Sequence, residues 1–176
     1  MAQKINSVIR IALIGPESTA KSTLSEDLAN HYITTVVREC ARDYLSKLNR
    51  KYTIDDILAI AKEQVKQEQV LIPQANKFIF VDTELILAKV WCEDLFATCP
   101  DWISENILHN QYDLYLLTFP DIPWEADPLR ENPHRRDFLF NWYEKELKKI
   151  NANYTVIKGT GKSRLENCIK AIEEQF

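Results

Sequence analysis

The sequence predicts an α/β fold in which a mainly parallel five-stranded sheet carries helices on both faces. Apolar runs of strand length alternate with helical patterns along the chain, and this alternation is typical of a parallel sheet covered on two sides. The length of 176 residues is that of one domain, so we expect residues 1–176 to share a single core. A composition of 45% hydrophobic and 27% charged residues excludes disordered and fibrous chains.

Five strands and six helices follow from these patterns. The predicted strands are residues 8–14, 34–37, 77–81, 113–118 and 154–157. The predicted helices are residues 21–32, 38–48, 53 to about 73, 84–95, 137–150 and 162–175. Leu24 and Leu28 lie four residues apart and give the first helix an apolar face. The long helix is bounded by a capping signal, Thr53-x-x-Asp56, and by Pro73.

Charge and composition limit the classes of partner. The 22 Lys and Arg and 26 Asp and Glu give a net charge of −4 with no basic tract, which predicts that the chain does not bind nucleic acid. The start of the chain lacks a secretory signal and no apolar run could cross a bilayer, so we expect a cytoplasmic protein without a membrane partner. The oligomeric state stays open. Four cysteines without metal-ligand spacing are predicted to be buried thiols: Cys40, Cys92, Cys99 and Cys168.

The turn after the first strand is close to a P-loop, the phosphate-binding turn between a strand and a helix. It reads Gly-Pro-Glu-Ser-Thr-Ala-Lys-Ser-Thr, and an amphipathic helix follows it directly. Backbone N–H groups and the helix N-terminus would bind the phosphates of ATP, Lys21 would reach the outer ones and Ser22 would hold Mg²⁺. The predicted nucleotide-binding residues are Gly15, Glu17, Ser18, Thr19, Ala20, Lys21, Ser22 and Thr23.

One position in this turn departs from the P-loop pattern. Ala20 stands where the residue before the lysine is normally glycine. If its φ angle must be positive, the methyl group costs about 1 kcal/mol. A polar strand-to-helix turn with ordinary helix caps is the alternative interpretation.

A second glycine-containing turn, Gly-Thr-Gly-Lys-Ser at residues 159–163, also joins a strand to a helix. Only two residues separate Gly159 from Lys162, whereas five separate Gly15 from Lys21. Two residues are too few to surround a phosphate, so we predict a simple turn there.

Charged residues follow two further strands and a proline-rich stretch. Asp82 ends the third strand, where it could hold Mg²⁺ or accept a proton; its alternative role is to cap the next helix. Glu39 and Arg42 follow the second strand at spacings equally typical of surface ion pairs. Residues 120–136 are predicted to be a lid of a P-loop kinase-like fold, or else a surface connection. Arg130 is its candidate catalytic cation.

Several stretches together resemble the ribosylnicotinamide kinase domain of the bacterial NAD-biosynthesis regulator and its stand-alone AAA-type ATPase relatives. They are residues 15–24, Glu-Cys-Ala-Arg-Asp-Tyr at 39–44, Phe-Val-Asp-Thr at 80–83, Tyr-Asp-Leu-Tyr-Leu-Leu-Thr at 112–118 and Asp-Ile-Pro-Trp-Glu-Ala-Asp-Pro-Leu-Arg at 121–130. The last of these is the most specific, and the resemblance covers residues 8–164. The chain starts only a few residues before its first strand, so we expect it to lack the regulator's helix-turn-helix and nucleotidyl-transfer domains.

The resemblance implies phosphorylation of the 5′-hydroxyl of nicotinamide riboside by ATP and Mg²⁺, with Lys21, Asp82 and Arg130 as catalytic residues. Aromatic faces and carboxylates would favour the pyridinium cation of that substrate. The candidate acceptor-site residues are Arg42, Tyr44, Trp91, Asp121, Trp124 and Asp127. A kinase for another nucleoside or small metabolite, and a nucleotide-binding regulatory module, stay open as alternatives.

Overall fold

The computed structural model describes residues 8–128, 130 and 132–176. Their elements, in chain order, are β1 (Ile9–Ile14), α1 (Lys21–His31), β2 (Thr35–Val37), α2 (Cys40–Ser46), α3 (Ile54–Leu71), a short 3-10 helix (Ile72–Gln74), β3 (Phe78–Asp82), α4 (Leu85–Phe96), α5 (Asp101–His109), β4 (Leu114–Thr118), α6 (Arg136–Lys149), β5 (Tyr154–Ile157) and α7 (Gly161–Glu173). None of the helices in this part of the chain is long and apolar enough to cross a membrane.

The sheet has the order β2-β3-β1-β4-β5, and all four pairs of neighbouring strands are parallel. The prediction of a five-stranded parallel sheet is confirmed. β1 lies in the centre, with Leu13 opposite Asp82 of β3 and Ile14 opposite Leu117 of β4. The P-loop turn therefore leaves the sheet between the carboxyl ends of β3 and β4, where ligands bind in open parallel sheets.

Alternate side chains of the strands enter two cores, one on each face. Ile11 and Leu13 of β1 pack with Leu24 and Leu28 of α1 and with residues of α7. On the opposite face, Ala12 and Ile14 pack with residues from α3, α4, α5 and α6. Strands buried on both faces need apolar residues at successive positions, which explains the apolar runs at residues 11–14 of β1, 78–81 of β3 and 114–117 of β4.

Some helix boundaries differ from the predictions, and one helix was not predicted. The predicted helix 38–48 is shorter, because the backbone is still extended at Glu39, and α2 begins at Cys40. The unpredicted helix, α5, is only nine residues long and follows Pro100, a residue that can begin a helix. The capping box of Thr53 and Asp56 is present at the start of α3. Three cysteines are buried as predicted, whereas Cys99 is partly exposed.

Candidate active site

The P-loop begins at a glycine that no other residue could replace without strain. Gly15 has a φ of 148°, and a Cβ atom there would lie 2.2 Å from Thr118 Oγ1 and 2.8 Å from the Thr118 carbonyl oxygen. Such contacts are far too short, so the end of β1 passes against β4 only because residue 15 has no side chain.

Two hydroxyl groups, of Thr19 and Thr118, hold the turn against the end of β4. The Thr19 hydroxyl lies 2.7 Å from the Thr118 hydroxyl and 2.7 Å from the Pro16 carbonyl oxygen, and Thr118 Oγ1 is also 3.2 Å from the Ile14 carbonyl oxygen. Thr118 is fully buried. Thr118 was not predicted as a site residue, although a hydroxyl at the end of an apolar strand is a signal visible in the sequence.

Ala20 has a left-handed backbone conformation, the case in which its methyl group was expected to cost stability. Its φ and ψ angles are 64° and 25°, at the residue that precedes α1. Ser18 also has a positive φ, of 54°. The turn therefore keeps the backbone shape of a glycine-containing P-loop while it bears the cost of a methyl group.

Lys21 is held inside the turn. Its ammonium group donates to the Pro16 carbonyl oxygen at 2.8 Å. Removal from water lowers the pKa of Lys21, and the negative charges of Asp82, Glu39 and Glu17 oppose that effect. A phosphate in the turn would offer this ammonium a stronger partner than a carbonyl oxygen does.

Asp82 ends β3 beside the P-loop and is buried. Burial raises its pKa, against the opposing effects of a hydrogen bond from Ser22 and the charge of Lys21. Within the described residues, its Oδ1 atom has no hydrogen-bond partner. The alternative role as a helix cap is wrong, because the cap of α4 is Glu84, which accepts hydrogen bonds from the Ile86 and Leu87 N–H groups.

Glu39 is a second carboxylate on the same side of the turn, placed by the end of β2. Burial raises the pKa of Glu39, the charge of Asp82 raises it further, and Lys21 lowers it. Lys21 thus lies within the electrostatic reach of both carboxylates. Glu39 faces the cleft described next, whereas Asp82 is not among the residues that line it.

A cleft of about 460 Å³ extends from the P-loop between α2, α4 and α6. Trp91 and Tyr52 form an aromatic pair in its wall, with ring centroids 5.2 Å apart and the Trp91 indole N–H donating to the Tyr52 hydroxyl at 3.3 Å. Tyr52 was not predicted as a site residue. The other lining side chains away from the P-loop include Glu39, Arg42, Leu45, Arg50, Lys51, Leu87, Val90, Asp94, Arg130, Asn132, Leu139 and Tyr143.

The candidate acceptor-site residues divide into two groups. Arg42 and Trp91 line the cleft, and the Arg42 guanidinium lies 3.1 Å from the Asp127 carboxylate. The other four lie outside the cleft lining: Asp127 pairs with Arg42, the Tyr44 hydroxyl donates to Asp56, Trp124 lies under the Arg136 guanidinium, and Asp121 contacts the β5–α7 turn.

Asp121 and the second glycine turn form one structural unit. The Gly159 N–H donates to Asp121 Oδ2 at 2.7 Å, and the buried Arg164 guanidinium donates to Asp121 Oδ1. Arg164 also donates to the Phe119 carbonyl oxygen at 2.6 Å. Thr160 and Ser163 form the capping box of α7. These contacts use the Gly159 N–H group and fix the start of the 120–136 segment.

The described residues of the 120–136 segment contact the P-loop from above. The Ser18 hydroxyl accepts from the Glu125 N–H at 2.9 Å, and the Glu17 carboxylate accepts from the Asn132 N–H at 3.0 Å. Arg136 donates to the Ser18 carbonyl oxygen at 3.1 Å. Arg130 lines the cleft and donates to the Glu125 carbonyl oxygen at 2.6 Å.

Comparison with known proteins agrees with this geometry. Residues 10–164 match the family model AAA_28, described as an AAA domain. The trifunctional NAD biosynthesis/regulator protein NadR of Salmonella typhimurium is 28% identical over 94% of this chain, and the chain spans 42% of that protein's length. Two crystal structures of NadR, one in complex with NAD and AMP-PNP and one in complex with NR, share the fold of this chain. Each has a TM-score of 0.79 and 19% identity over 96% of this chain. This chain covers 49% of the first NadR chain and 51% of the second. Since the AAA domain model covers most of the chain, the chain belongs to this AAA domain family.

Proposed function

We propose that the protein is an ATP-dependent kinase that phosphorylates the 5′-hydroxyl of nicotinamide riboside and releases nicotinamide mononucleotide. The observation that carries this proposal is a single cleft with a P-loop at one end and the Tyr52–Trp91 pair in its wall. The similarity to NadR, which has been crystallised with NR and with an ATP analogue, supports the choice of both substrates.

The P-loop end would bind ATP with Mg²⁺. Lys21 would exchange the Pro16 carbonyl oxygen for the outer phosphates, and backbone N–H groups of residues 15 and 17–20 would hold the others. Ser22 and Asp82 fit Mg²⁺, because an unpartnered, buried carboxylate oxygen beside a hydroxyl is a donor set that this ion prefers. When bound, the ion would neutralise charge on the phosphate oxygens.

Glu39 is the carboxylate that we assign to the acceptor hydroxyl. It faces the cleft, whereas Asp82 lies behind the P-loop beside Ser22. In the transfer step the acceptor oxygen gives its proton to the Glu39 carboxylate and forms a bond to the γ-phosphorus, while the bond from that phosphorus to the ADP oxygen breaks. Arg130 would lie beside the transferred group and balance its charge.

The aromatic pair would hold the pyridinium ring. A cation over the face of tryptophan or tyrosine gains about 0.5–2 kcal/mol, depending on how far it is desolvated. The Arg42 and Arg50 guanidinium groups in the same cleft are each paired with a carboxylate, of Asp127 and Asp56 respectively. Their pairing reduces the repulsion that a cationic acceptor would meet. Residues 120–136 would close over both substrates, as a lid does.

The proposal is tested by product analysis with a panel of acceptors. The purified protein is incubated with ATP, Mg²⁺ and one of nicotinamide riboside, adenosine, deoxyadenosine or thymidine, and the phosphorylated product is identified by chromatography. We expect nicotinamide mononucleotide, and none from Lys21→Ala. Faster phosphorylation of another nucleoside would move the assignment to that nucleoside. Binding of ATP without turnover on any acceptor would favour a regulatory module instead.

A matched pair of tryptophan variants tests the acceptor end. Trp91 and Trp102 both pack, partly buried, against the same core, but only Trp91 lines the cleft. Trp91→Leu should raise KM for nicotinamide riboside by about tenfold, in line with the loss of a cation–π contact. Trp102→Leu should leave that KM unchanged. Equal KM values for the two variants would contradict the ring site.

A further inference from the structure

We infer that Gln64 is a positioning residue for the phosphoryl-transfer site, because its carboxamide joins the start of α2, next to Glu39, to the end of β3 at Asp82. This inference rests on the proposed function, since it assigns those two carboxylates to the reaction. Gln64 lies in α3 and has no direct contact with the P-loop among the contacts of the described residues.

The contacts of Gln64 are two hydrogen bonds to backbone. Its carboxamide oxygen accepts from the Cys40 N–H at 3.0 Å, and its amide nitrogen donates to the Asp82 carbonyl oxygen at 3.2 Å. Cys40 directly follows Glu39 in the chain. One buried side chain therefore connects the residue next to one carboxylate with the backbone of the other.

The position of this connection follows from the sheet. The pairing of β2 with β3 ends at Val37 opposite Val81, just before the two chains reach Glu39 and Asp82. Beyond that point, the Gln64 amide lies between the two backbones and satisfies an N–H group on one and a carbonyl group on the other. A carboxamide suits this position because it accepts and donates from one planar group without carrying a charge.

The separation that Gln64 fixes matters because three charged groups meet there. Lys21 interacts with both Glu39 and Asp82, and the two carboxylates interact with each other. Interaction between charges changes steeply with distance where water is excluded. A shift of one strand end would change the geometry of the proton acceptor relative to the phosphates, and a misplacement of about 1 Å can cost about 10²-fold in rate.

Gln64→Met is the principal test, since methionine has nearly the same length and removes both hydrogen bonds. We expect kcat to fall by about 10²-fold, with the Kd for AMP-PNP and Mg²⁺ within about threefold of the wild-type value. Glu68→Gln is the matched control. Glu68 is buried one turn further along α3 and contacts Arg10 and Tyr112 instead of the site. It should lower Tm and leave kcat unchanged.

Gln64→Glu is a second variant at this position. If Gln64→Met does not fold, Gln64→Glu replaces it, because a carboxylate can still accept from Cys40 but cannot donate to the Asp82 carbonyl; its kcat should also fall by about 10²-fold. A folded position-64 variant with normal kcat would overturn the positioning role.

Failure of the proposed function can be distinguished from failure of the positioning role, because in the first case the wild-type protein would turn over no acceptor. In that case amide hydrogen exchange tests the connection that Gln64 makes. The Cys40 N–H should lose protection in the position-64 variant, and keep it in Glu68→Gln. Unchanged protection in both variants would overturn the inference.

Discussion

Replacement of Gly15 by alanine should destabilise the protein by several kcal/mol. The backbone at Gly15 has a φ of 148°, which side-chain-bearing residues rarely adopt. An added Cβ would lie 2.2 Å from Thr118 Oγ1 and 2.8 Å from the Thr118 carbonyl oxygen. The second contact is with backbone of the central sheet, so rotation of a side chain cannot relieve it.

The magnitude follows from two terms. A residue in a glycine-only backbone region costs about 1–3 kcal/mol, and an overpacked core contact costs about 1–3 kcal/mol. Their sum is about 2–6 kcal/mol in unfolding free energy. For a chain of this length each kcal/mol lowers Tm by about 2–4 °C, so the expected loss is on the order of 10 °C.

Urea denaturation of matched glycine variants measures this loss. Gly161 has a φ of 50°, but an added Cβ would meet nothing within 4 Å, so Gly161→Ala should cost only about 1 kcal/mol. In a Thr118→Ala background Gly15→Ala should cost less than in the wild-type protein, because the 2.2 Å contact is absent and only the 2.8 Å one remains. A Gly15→Ala variant as stable as Gly161→Ala would refute the argument.

Three further predictions concern the same end of the sheet. Ala20→Gly removes a left-handed alanine at a cost in unfolded-chain entropy, so stability should change by less than about 1 kcal/mol and ATP-analogue affinity should stay equal or rise; calorimetric titration showing weaker binding would contradict this. Asp82→Asn removes a charge from the proposed Mg²⁺ site, so the Mg²⁺ concentration for half-maximal turnover should rise by about tenfold or more, measured by steady-state kinetics; an unchanged Mg²⁺ dependence with near-normal turnover would return Asp82 to a structural role. Burial raises the pKa of Glu84 to about 8, above its unfolded value of 4.5, so the unfolding free energy should fall as pH rises between these values. Urea denaturation of Glu84→Gln should show a smaller decline, because burial also raises the pKa of the remaining Asp82 and Glu39 carboxyls; an identical decline would exclude Glu84 as a source.

The parts of the fold that were predictable are those that depend on neighbours in sequence. All five strands were located: the three central strands contain continuous apolar runs because they are buried on both faces, and the edge strands β2 and β5 are short runs of β-branched and aromatic residues. The P-loop turn was located from its spacing, and the backbone at Ala20 has the positive φ that the motif implies. α5 was missed because it has only nine residues, although its buried Ile103 and Ile107 lie four residues apart.

The parts of the site that were not predictable depend on contacts across the fold. Tyr52 precedes α3 in an unremarkable polar stretch, and only the packing of α3 against α4 brings its hydroxyl to Trp91. Asp121 was predicted as an acceptor-site residue, because a carboxylate could bind a cationic substrate. Its carboxylate is directed to Gly159 by the buried Arg164, which lies 43 residues further along the chain.

The P-loop backbone is held on two sides. On one side, Thr118 of β4 fixes Thr19 and leaves no room for a side chain at Gly15. On the other, the Ser18 hydroxyl and carbonyl contact Glu125 and Arg136. The β4 contacts are buried, whereas the Ser18 contacts lie at the cleft. A bound phosphate that shifts the backbone of the turn can therefore move the 120–136 segment more easily than it can move the sheet. Nucleotide binding and closure of this segment are therefore expected to be coupled through Ser18.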